Sequence, residues 1–286
     1  MFKGQPKGLL AAALANMGER FGFYTMMAIL VLFLQAKFGL SDVNAGVIYS
    51  VFYALIYILA LVGGLIADKT KNYKNTILTG IVFMSLGYLM IAIPSETPVA
   101  NKALFMIITL FGLFTIAFGN GLFKGNLQAL VGQMYDNEEY KEKRDSGFMV
   151  FYMFINVGAI FAPLAAIGVR NWWLKTNGFL YKADLPALCH SHLGGTISDK
   201  AAIDLQTFAT EVSIAPVTDI TTFASNYLNI FTTGYHYAFA VAIIAMLISL
   251  VIYIVNKKTF PNPKGVKKVG DKLSPTEVQM LSLIHI

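Results

Sequence analysis

The chain alternates between long apolar stretches and shorter polar connections. Six stretches are long and apolar enough to cross a bilayer, which takes about 20 residues. They run over residues 9–35, 44–67, 75–94, 103–134, 147–169 and 234–256. The composition agrees, because only 13% of the residues are charged, against about 25% in soluble domains. The sequence therefore predicts an all-α membrane protein with six transmembrane helices.

The positions of Lys and Arg predict the orientation of these helices. If the N-terminus is cytoplasmic, fourteen of the 22 Lys and Arg residues lie inside, six lie outside, and only Arg20 and Lys124 lie within spans. We therefore expect a multi-pass protein of the cell membrane, of the bacterial inner membrane, with both termini cytoplasmic. The net charge of +6 reflects this topology, so we expect no nucleic-acid partner.

A polar stretch over residues 170–233 separates the last two spans, and we expect an extracytoplasmic insertion there. It exceeds ordinary loop lengths, which favours some structure of its own. Cys189, His190 and His192 could be metal ligands, but no second ligand cluster lies at a matching spacing, and we expect neither a metal site nor a cofactor. Residues 1–256 then form the six-helix bundle, and 257–286 begin a cytoplasmic linker.

Glu19 and Arg20 lie in the middle of the first span, where no water is at hand to solvate them. An ionisable residue at that depth costs roughly 2.5–3.5 kcal/mol on insertion scales, and such residues usually face a bundle interior or an aqueous pathway. Adjacent residues on a helix do not face each other. We therefore expect each of the two charges to find its partner elsewhere.

Polar residues of four spans share one depth. Arg20, Tyr57, Lys124 and Asn156 lie about 14–17 Å from the cytoplasmic edge, which is near the midplane of a hydrocarbon core about 30 Å thick. Glu19 is the one carboxylate well inside a predicted span, so two cations face one anion. The missing anion belongs either to another part of the protein or to a substrate bound at the midplane, as in secondary transporters. Tyr57 and Asn156, taken singly, also suit hydrogen bonding between helices.

Four motifs in order resemble the proton-dependent oligopeptide transporter family (POT/PTR) of the major facilitator superfamily. Glu19–Tyr24 resembles the family's E-x-x-E-R-F-x-Y-Y motif, and Gly63–Lys69 resembles the superfamily signature between spans two and three. Phe123–Asn126 resembles F-K-P-N on span four, and Phe151–Gly158 resembles F-Y-x-x-I-N-x-G on span five.

The resemblance implies a secondary transporter that imports di- and tripeptides together with protons across the lipid bilayer. It also implies a fold of twelve spans, so we expect this chain to be the N-terminal half and the C-terminal six-helix half to be missing. In the family, the motif arginine and the span-four lysine surround the carboxylate end of the peptide. The implied site residues are Arg20, Lys124, Tyr24, Tyr57 and Asn156 for the peptide, Glu19 for proton coupling and Asp68 in the conformational signature.

Three positions depart from the family's pattern. Asn16 replaces the first Glu of the first motif, Phe23 replaces its first Tyr, and Met27 replaces a frequent Arg.

A transporter of the same fold for a non-peptide anion, such as nitrate or a carboxylated metabolite, would share the cationic site and remains an alternative function. A membrane enzyme would need a nucleophile with a base or a metal-ligand spacing. We find neither in the sequence and expect no enzyme.

Overall fold

The computed structural model describes residues 3–261, and over this range the elements are helices, with one isolated bridge between Phe179 and Ser213. The helices are α1 (Lys7–Phe38), α2 (Asp42–Thr70), α3 (Tyr73–Ala92), α4 (Lys102–Met134), α5 (Arg144–Thr176), α6 (Leu185–Leu193), α7 (Asp199–Val212) and α8 (Ile220–Asn256). Two short 3-10 helices precede α5 and follow α8. Six of the helices are long and apolar enough to cross a membrane. The predicted fold class is confirmed. Most of the predicted linker, residues 262–286, lies outside the described range.

Polar caps define where several of these helices begin. The side chains of Ser41, Asn101 and Asp219 accept hydrogen bonds from backbone N–H groups two or three residues ahead, at 3.0–3.3 Å. These bonds satisfy donors that the first helical turn leaves without a partner. At its other end α1 stops at Gly39, whose φ of 60° lies in the left-handed region that glycine enters without a steric penalty.

The helices pack in two connected groups. Helix α1 packs against α5 and α8, helix α4 packs against α2 and α3, and α3 also contacts α8. Glycines bring α4 against its neighbours: a Cβ on Gly63 would lie 2.1 Å from the carbonyl oxygen of Gly121, and one on Gly80 would lie 2.7 Å from that of Gly119. Small residues allow such close backbone approach in membrane bundles. These contacts set the height of α4 relative to α2 and α3.

Helices α5 and α8 are longer than the predicted spans, which is a correction. Helix α5 continues to Thr176 rather than ending at 169, and α8 begins at Ile220 rather than at 234. Thr, Ser and Asn lower the hydropathy of residues 220–233 and hide this start. The aromatic residues Phe223, Tyr227 and Phe231 nevertheless recur at every fourth position, which is a helical period. At 37 residues α8 is about 55 Å long, so its first turns project beyond a hydrocarbon core about 30 Å thick.

The segment between α5 and α8 folds into a small cap, which we define as residues 177–219. Helix α6 of the cap packs against α8 and α7. The cap and the projecting turns of α8 share a buried core that includes Leu185, Cys189, Leu205, Ala209, Val212, Phe223 and Tyr227. The predicted insertion over 170–233 therefore contains the ends of two bundle helices in addition to the cap.

The residues considered as metal ligands in the cap make structural contacts instead. Burial raises the pKa of the Cys189 thiol to about 12, whereas a metal ligand must be a thiolate. The Nε2 atom of His190 lies 2.7 Å from the carbonyl oxygen of Ala36, and Nε2 of His192 lies 2.9 Å from the hydroxyl of Thr221. The two histidines therefore tie the cap to α1 and α8. Within residues 3–261 no group of three or more His, Cys, Asp or Glu side chains is placed to hold a metal ion.

Two neighbouring glycines of α2 test the close contact between α2 and α4. Gly63→Ala places a methyl group against the backbone of Gly121, and we expect it to destabilise the protein by about 1–3 kcal/mol, the usual cost of overpacking. A Cβ on Gly64 meets nothing within 4 Å, so Gly64→Ala is the matched control and should be neutral or stabilising. The measurement is thermal unfolding of the purified proteins in detergent. Equal melting temperatures for the two variants would contradict the contact.

Candidate functional site

Glu19 and Arg20 form an ion pair with each other inside the bundle. The Arg20 Nε atom donates to Glu19 Oε2 at 2.5 Å and Nη2 donates to Oε1 at 2.7 Å. Both residues are buried, with Glu19 1% and Arg20 5% exposed. The expectation that adjacent residues could not pair was wrong, because the long arginine side chain bends back to its neighbour. Two parallel hydrogen bonds between a guanidinium and a carboxylate form a bidentate ion pair, one of the stronger polar interactions in proteins.

A third hydrogen bond joins the ion pair to α4. The Nδ2 atom of Asn120 donates to Glu19 Oε1 at 2.6 Å, and Asn120 is completely buried. Its other polar atom, Oδ1, has no hydrogen-bond partner among residues 3–261. Sequence reasoning missed Asn120. The available signal was an amide inside an apolar span, one helical turn before Lys124.

Aromatic side chains surround the ion pair. The guanidinium carbon of Arg20 lies 4.8 Å from the centre of the Phe23 ring, which packs edge-on against Tyr24 at 5.3 Å. Tyr88 of α3 is buried and interacts electrostatically with both charges. Tyr24 is half-buried. The pair is therefore enclosed by α1, α3 and α4, with Tyr24 at its margin.

Lys124 has no carboxylate partner in the described part of the chain. Its Nζ atom lies 5.0 Å from the centre of the Tyr57 ring, a cation–π contact, and its side chain is half-buried. The salt bridges of residues 3–261 do not include it. Cation–π attraction stabilises a cation by about 0.5–2 kcal/mol, but it leaves the positive charge without a counter-charge. The excess positive charge expected at the midplane therefore rests on Lys124.

Tyr57 is the last residue of a row of three tyrosines on α2. The hydroxyl groups of Tyr53 and Tyr57 lie 3.0 Å apart, and the rings of Tyr49 and Tyr53 stack at 6.4 Å. Tyr57 is 52% exposed, so the row lies on an open face of the bundle. The sequence analysis identified only Tyr57, although the spacing of four residues would have indicated the whole row.

The two remaining predicted site residues lie apart from this cluster. Asn156 is exposed on α5, in an open groove that is also lined by Tyr152, Met153 and Val157. Its side chain makes no hydrogen bond within residues 3–261. Asp68 is exposed near the end of α2, where its carboxylate accepts a hydrogen bond from the hydroxyl group of Tyr73. The structure therefore joins Glu19 to Arg20, and Lys124 to Tyr57, but leaves Asn156 and Asp68 outside these contacts.

This geometry separates two chemical capacities. The Glu19 carboxylate is enclosed in the bundle together with its three donors. Lys124 and the tyrosine row lie at the margin of the bundle, where a cation can meet an anionic ligand. Asn120 and Lys124 are one turn apart on α4, so both capacities depend on the same helix.

Comparisons with known proteins show which family the chain resembles in sequence. Residues 74–278 match the family model PTR2, described as the POT family. A di-/tripeptide transporter of Lactococcus lactis is 36% identical over 170 residues, 57% of this chain and 32% of that protein. A peptide transporter of Yersinia enterocolitica is 36% identical over 183 residues, 62% of this chain and 33% of that protein.

A crystal structure of a peptide transporter POT in complex with sulfate has a similar fold. It superimposes with a TM-score of 0.61 at 25% identity, covering all of this chain and 44% of the other. The chain thus spans about a third of the length of its curated relatives and less than half of the solved protein. The matched relatives are transporters, which confirms that the protein is not an enzyme. It is a multi-pass membrane protein and belongs to the POT family.

Proposed function

We propose that this chain forms one half of a transporter that imports di- and tripeptides with protons. The observation that carries the proposal is Lys124, a cation near the midplane with no carboxylate partner among the described residues. The carboxylate of a peptide carries the negative charge that can pair with the ammonium group of Lys124. Substrate sites of secondary transporters lie near the midplane at the interface of two repeats, which agrees with this position.

The ion pair determines how the cations are used. Because Glu19 takes one N–H group of Nε and one of Nη2, two of the five guanidinium donors of Arg20 are already used, and Nη1 and the second N–H group of Nη2 remain for another ligand. Lys124 then receives the peptide carboxylate first, and Arg20 is the second cation of the site. Tyr24, Tyr57 and Asn156 contact the rest of the peptide. The names of the matched relatives favour a peptide over a non-peptide anion as the substrate.

A second bundle of six helices completes the site. Tyr57 and Asn156 are exposed on the described half, and polar side chains at this depth are costly against lipid. The solved peptide transporter is more than twice the length of this chain, which leaves room for such a bundle. Rocking of one half against the other then gives alternating access. Asp68, held by Tyr73 at the α2–α3 connection, takes part in that movement.

The cytoplasmic side is the one that carries the N-terminus. The connections between α2 and α3 and between α4 and α5 are rich in cations, as expected for cytoplasmic loops. These cations are Lys69, Lys71, Lys74, Lys141, Lys143 and Arg144. The cap then lies outside, and the membrane is the bacterial inner membrane.

Glu19 carries the coupled proton in this half. A peptide carboxylate that draws Arg20 away removes two of the three hydrogen bonds of Glu19. A buried carboxylate without these donors is strongly disfavoured, so Glu19 takes up a proton. The departure of Arg20 from Glu19 therefore links substrate binding to proton binding.

Lys124→Gln in the complete transporter tests the carboxylate site. We expect at least about a 30-fold loss of affinity for a free-acid dipeptide, because removing one partner of a buried charge pair costs about 2–5 kcal/mol. The variant should bind a C-terminally amidated dipeptide about as well as the wild type does. Binding is measured by competition with a radiolabelled dipeptide. Lys102→Gln, an exposed lysine of the same helix, is the control. Equal binding of acid and amide by the wild type would exclude this role of Lys124.

Glu19→Gln tests proton coupling. Gln keeps the shape and one acceptor oxygen but cannot exchange a proton, so counterflow exchange of dipeptide should continue while proton-driven accumulation is lost. Both are measured in proteoliposomes with an imposed pH gradient. Glu142→Gln, an exposed carboxylate before α5, should retain both activities. If Glu19→Gln still accumulates dipeptide, coupling resides in other residues.

A further inference from the structure

The amide of Asn120 has a buried oxygen with no partner beside a group that can gain a proton. Its Nδ2 atom bonds Glu19 Oε1 at 2.6 Å, while Oδ1 has no hydrogen-bond partner within residues 3–261. The orientation of this amide follows from chemistry, because an ionised carboxylate only accepts hydrogen bonds. The nitrogen therefore faces Glu19, and the oxygen points into protein without a donor.

A buried acceptor without a partner is unfavourable and rare in native structures. Here it is the direct consequence of using an amide to bind a carboxylate in an otherwise apolar position. A leucine would fill the same volume without an unpaired oxygen. The amide offers something that leucine lacks, since one end donates and the other end accepts.

We infer that Asn120 is a positioning residue that serves Glu19 in both of its protonation states. In the ionised state Nδ2 donates to Oε1, as observed. When a proton from the aqueous phase binds Oε1, the new O–H group conflicts with the N–H group of Asn120. A half-turn of the amide about its Cβ–Cγ bond then presents Oδ1, which accepts from the O–H group. This inference rests on the proposed proton-coupling role of Glu19 and names the group that accompanies it.

The position of Asn120 gives this reorientation a consequence for α4. Asn120 lies one turn from Lys124, and the backbone of its neighbour Gly119 touches α3. The hydrogen bond between Asn120 and Glu19 therefore couples the protonation state of Glu19 to α4, the helix that carries Lys124. Met84 Sδ, 3.9 Å from Nδ2, is a soft neighbour that tolerates either end of the amide.

The other titratable groups near Glu19 are few. On α1 they are Arg20, which is bonded to it, and Tyr24; on α3 it is Tyr88. On α4 the charged group is Lys124, one turn beyond Asn120, and its cation–π contact is with Tyr57. From α2, Tyr53 interacts with Tyr24 rather than with the pair. The contacts of α8 and α5 with this stretch of α1 are neutral, namely the hydroxyl of Ser249 on Ala15 and the glycine Gly158 near Met17. Protonation in this enclosure is thus expected at Glu19.

Infrared difference spectroscopy of the complete transporter tests the inference without substrate or gradient. The carboxylic-acid C=O band that disappears in Glu19→Gln reports Glu19 protonation, and its pH midpoint is the measured quantity. In Asn120→Leu the ionised form loses a charge-assisted hydrogen bond, while the protonated form loses a weaker neutral one. The midpoint should therefore rise, by about one pH unit.

Asn120→Asp is a second variant of the same size, available if the leucine variant does not fold. It places a second carboxyl group against Glu19. Two adjacent carboxylates repel each other, so the pair retains one proton to higher pH and the midpoint should rise further. In the wild type an asparagine side-chain amide band should shift at the same pH as the Glu19 band. That shift should be absent in Asn120→Leu and in Glu19→Gln.

Asn126→Leu is the matched control. Asn126 is also a buried amide on α4, but it donates to the carbonyl oxygens of Gly63 and Leu122. Its loss should lower the melting temperature and leave the midpoint unchanged. An unchanged midpoint in both Asn120 variants, or a Glu19 band that never titrates in the folded protein, would overturn the inference. A midpoint that moves in a protein that accumulates no dipeptide would overturn the proposed function alone.

Discussion

The burial of charge inside the helix bundle is the constraint on which the rest of this structure depends. Glu19 is tolerated there because three donors, two from Arg20 and one from Asn120, surround its carboxylate. Those bonds require α1 and α4 to meet at one height. Glycine contacts hold α4 at that height against α2 and α3. With the ion pair closed on itself, Lys124 remains as the cation that faces the open side.

The end of the bundle beneath the cap stabilises a buried charge without an ion pair. Lys37, at the end of α1, is 2% exposed, and its ammonium group donates to the carbonyl oxygens of Ser95 and Glu96 and to the hydroxyl of Thr97. The hydroxyl of Thr232 on α8 bonds the same threonine. These hydrogen bonds join α1, the α3–α4 connection and α8 beneath the cap. Ammonium groups have three donors, and here each donor has an oxygen.

Hydropathy predicted the six spans because apolar length is a property of the sequence alone. It could not predict that α8 begins at Ile220, since the projecting turns bury Phe223 and Tyr227 against the cap and not against lipid. Lys37 follows the first predicted span, over residues 9–35, and was one of the six cations counted outside, because a charge at a span end gives no sign of the carbonyl groups that will surround it. The motifs identified Glu19, Arg20 and Lys124. Their pairing, and the part of Asn120, depended on side-chain reach and on the meeting of two helices.

The position of a bound dipeptide in the complete transporter tests the central claim most directly. An experimental structure with a free-acid dipeptide should place its carboxylate about 2.7–2.9 Å from Lys124 Nζ, the distance of a charge-assisted hydrogen bond. Glu19 should then retain its contact with Asn120, whether or not Arg20 has moved. A carboxylate side chain of the protein on Lys124, with the peptide carboxylate bound elsewhere, would contradict the account.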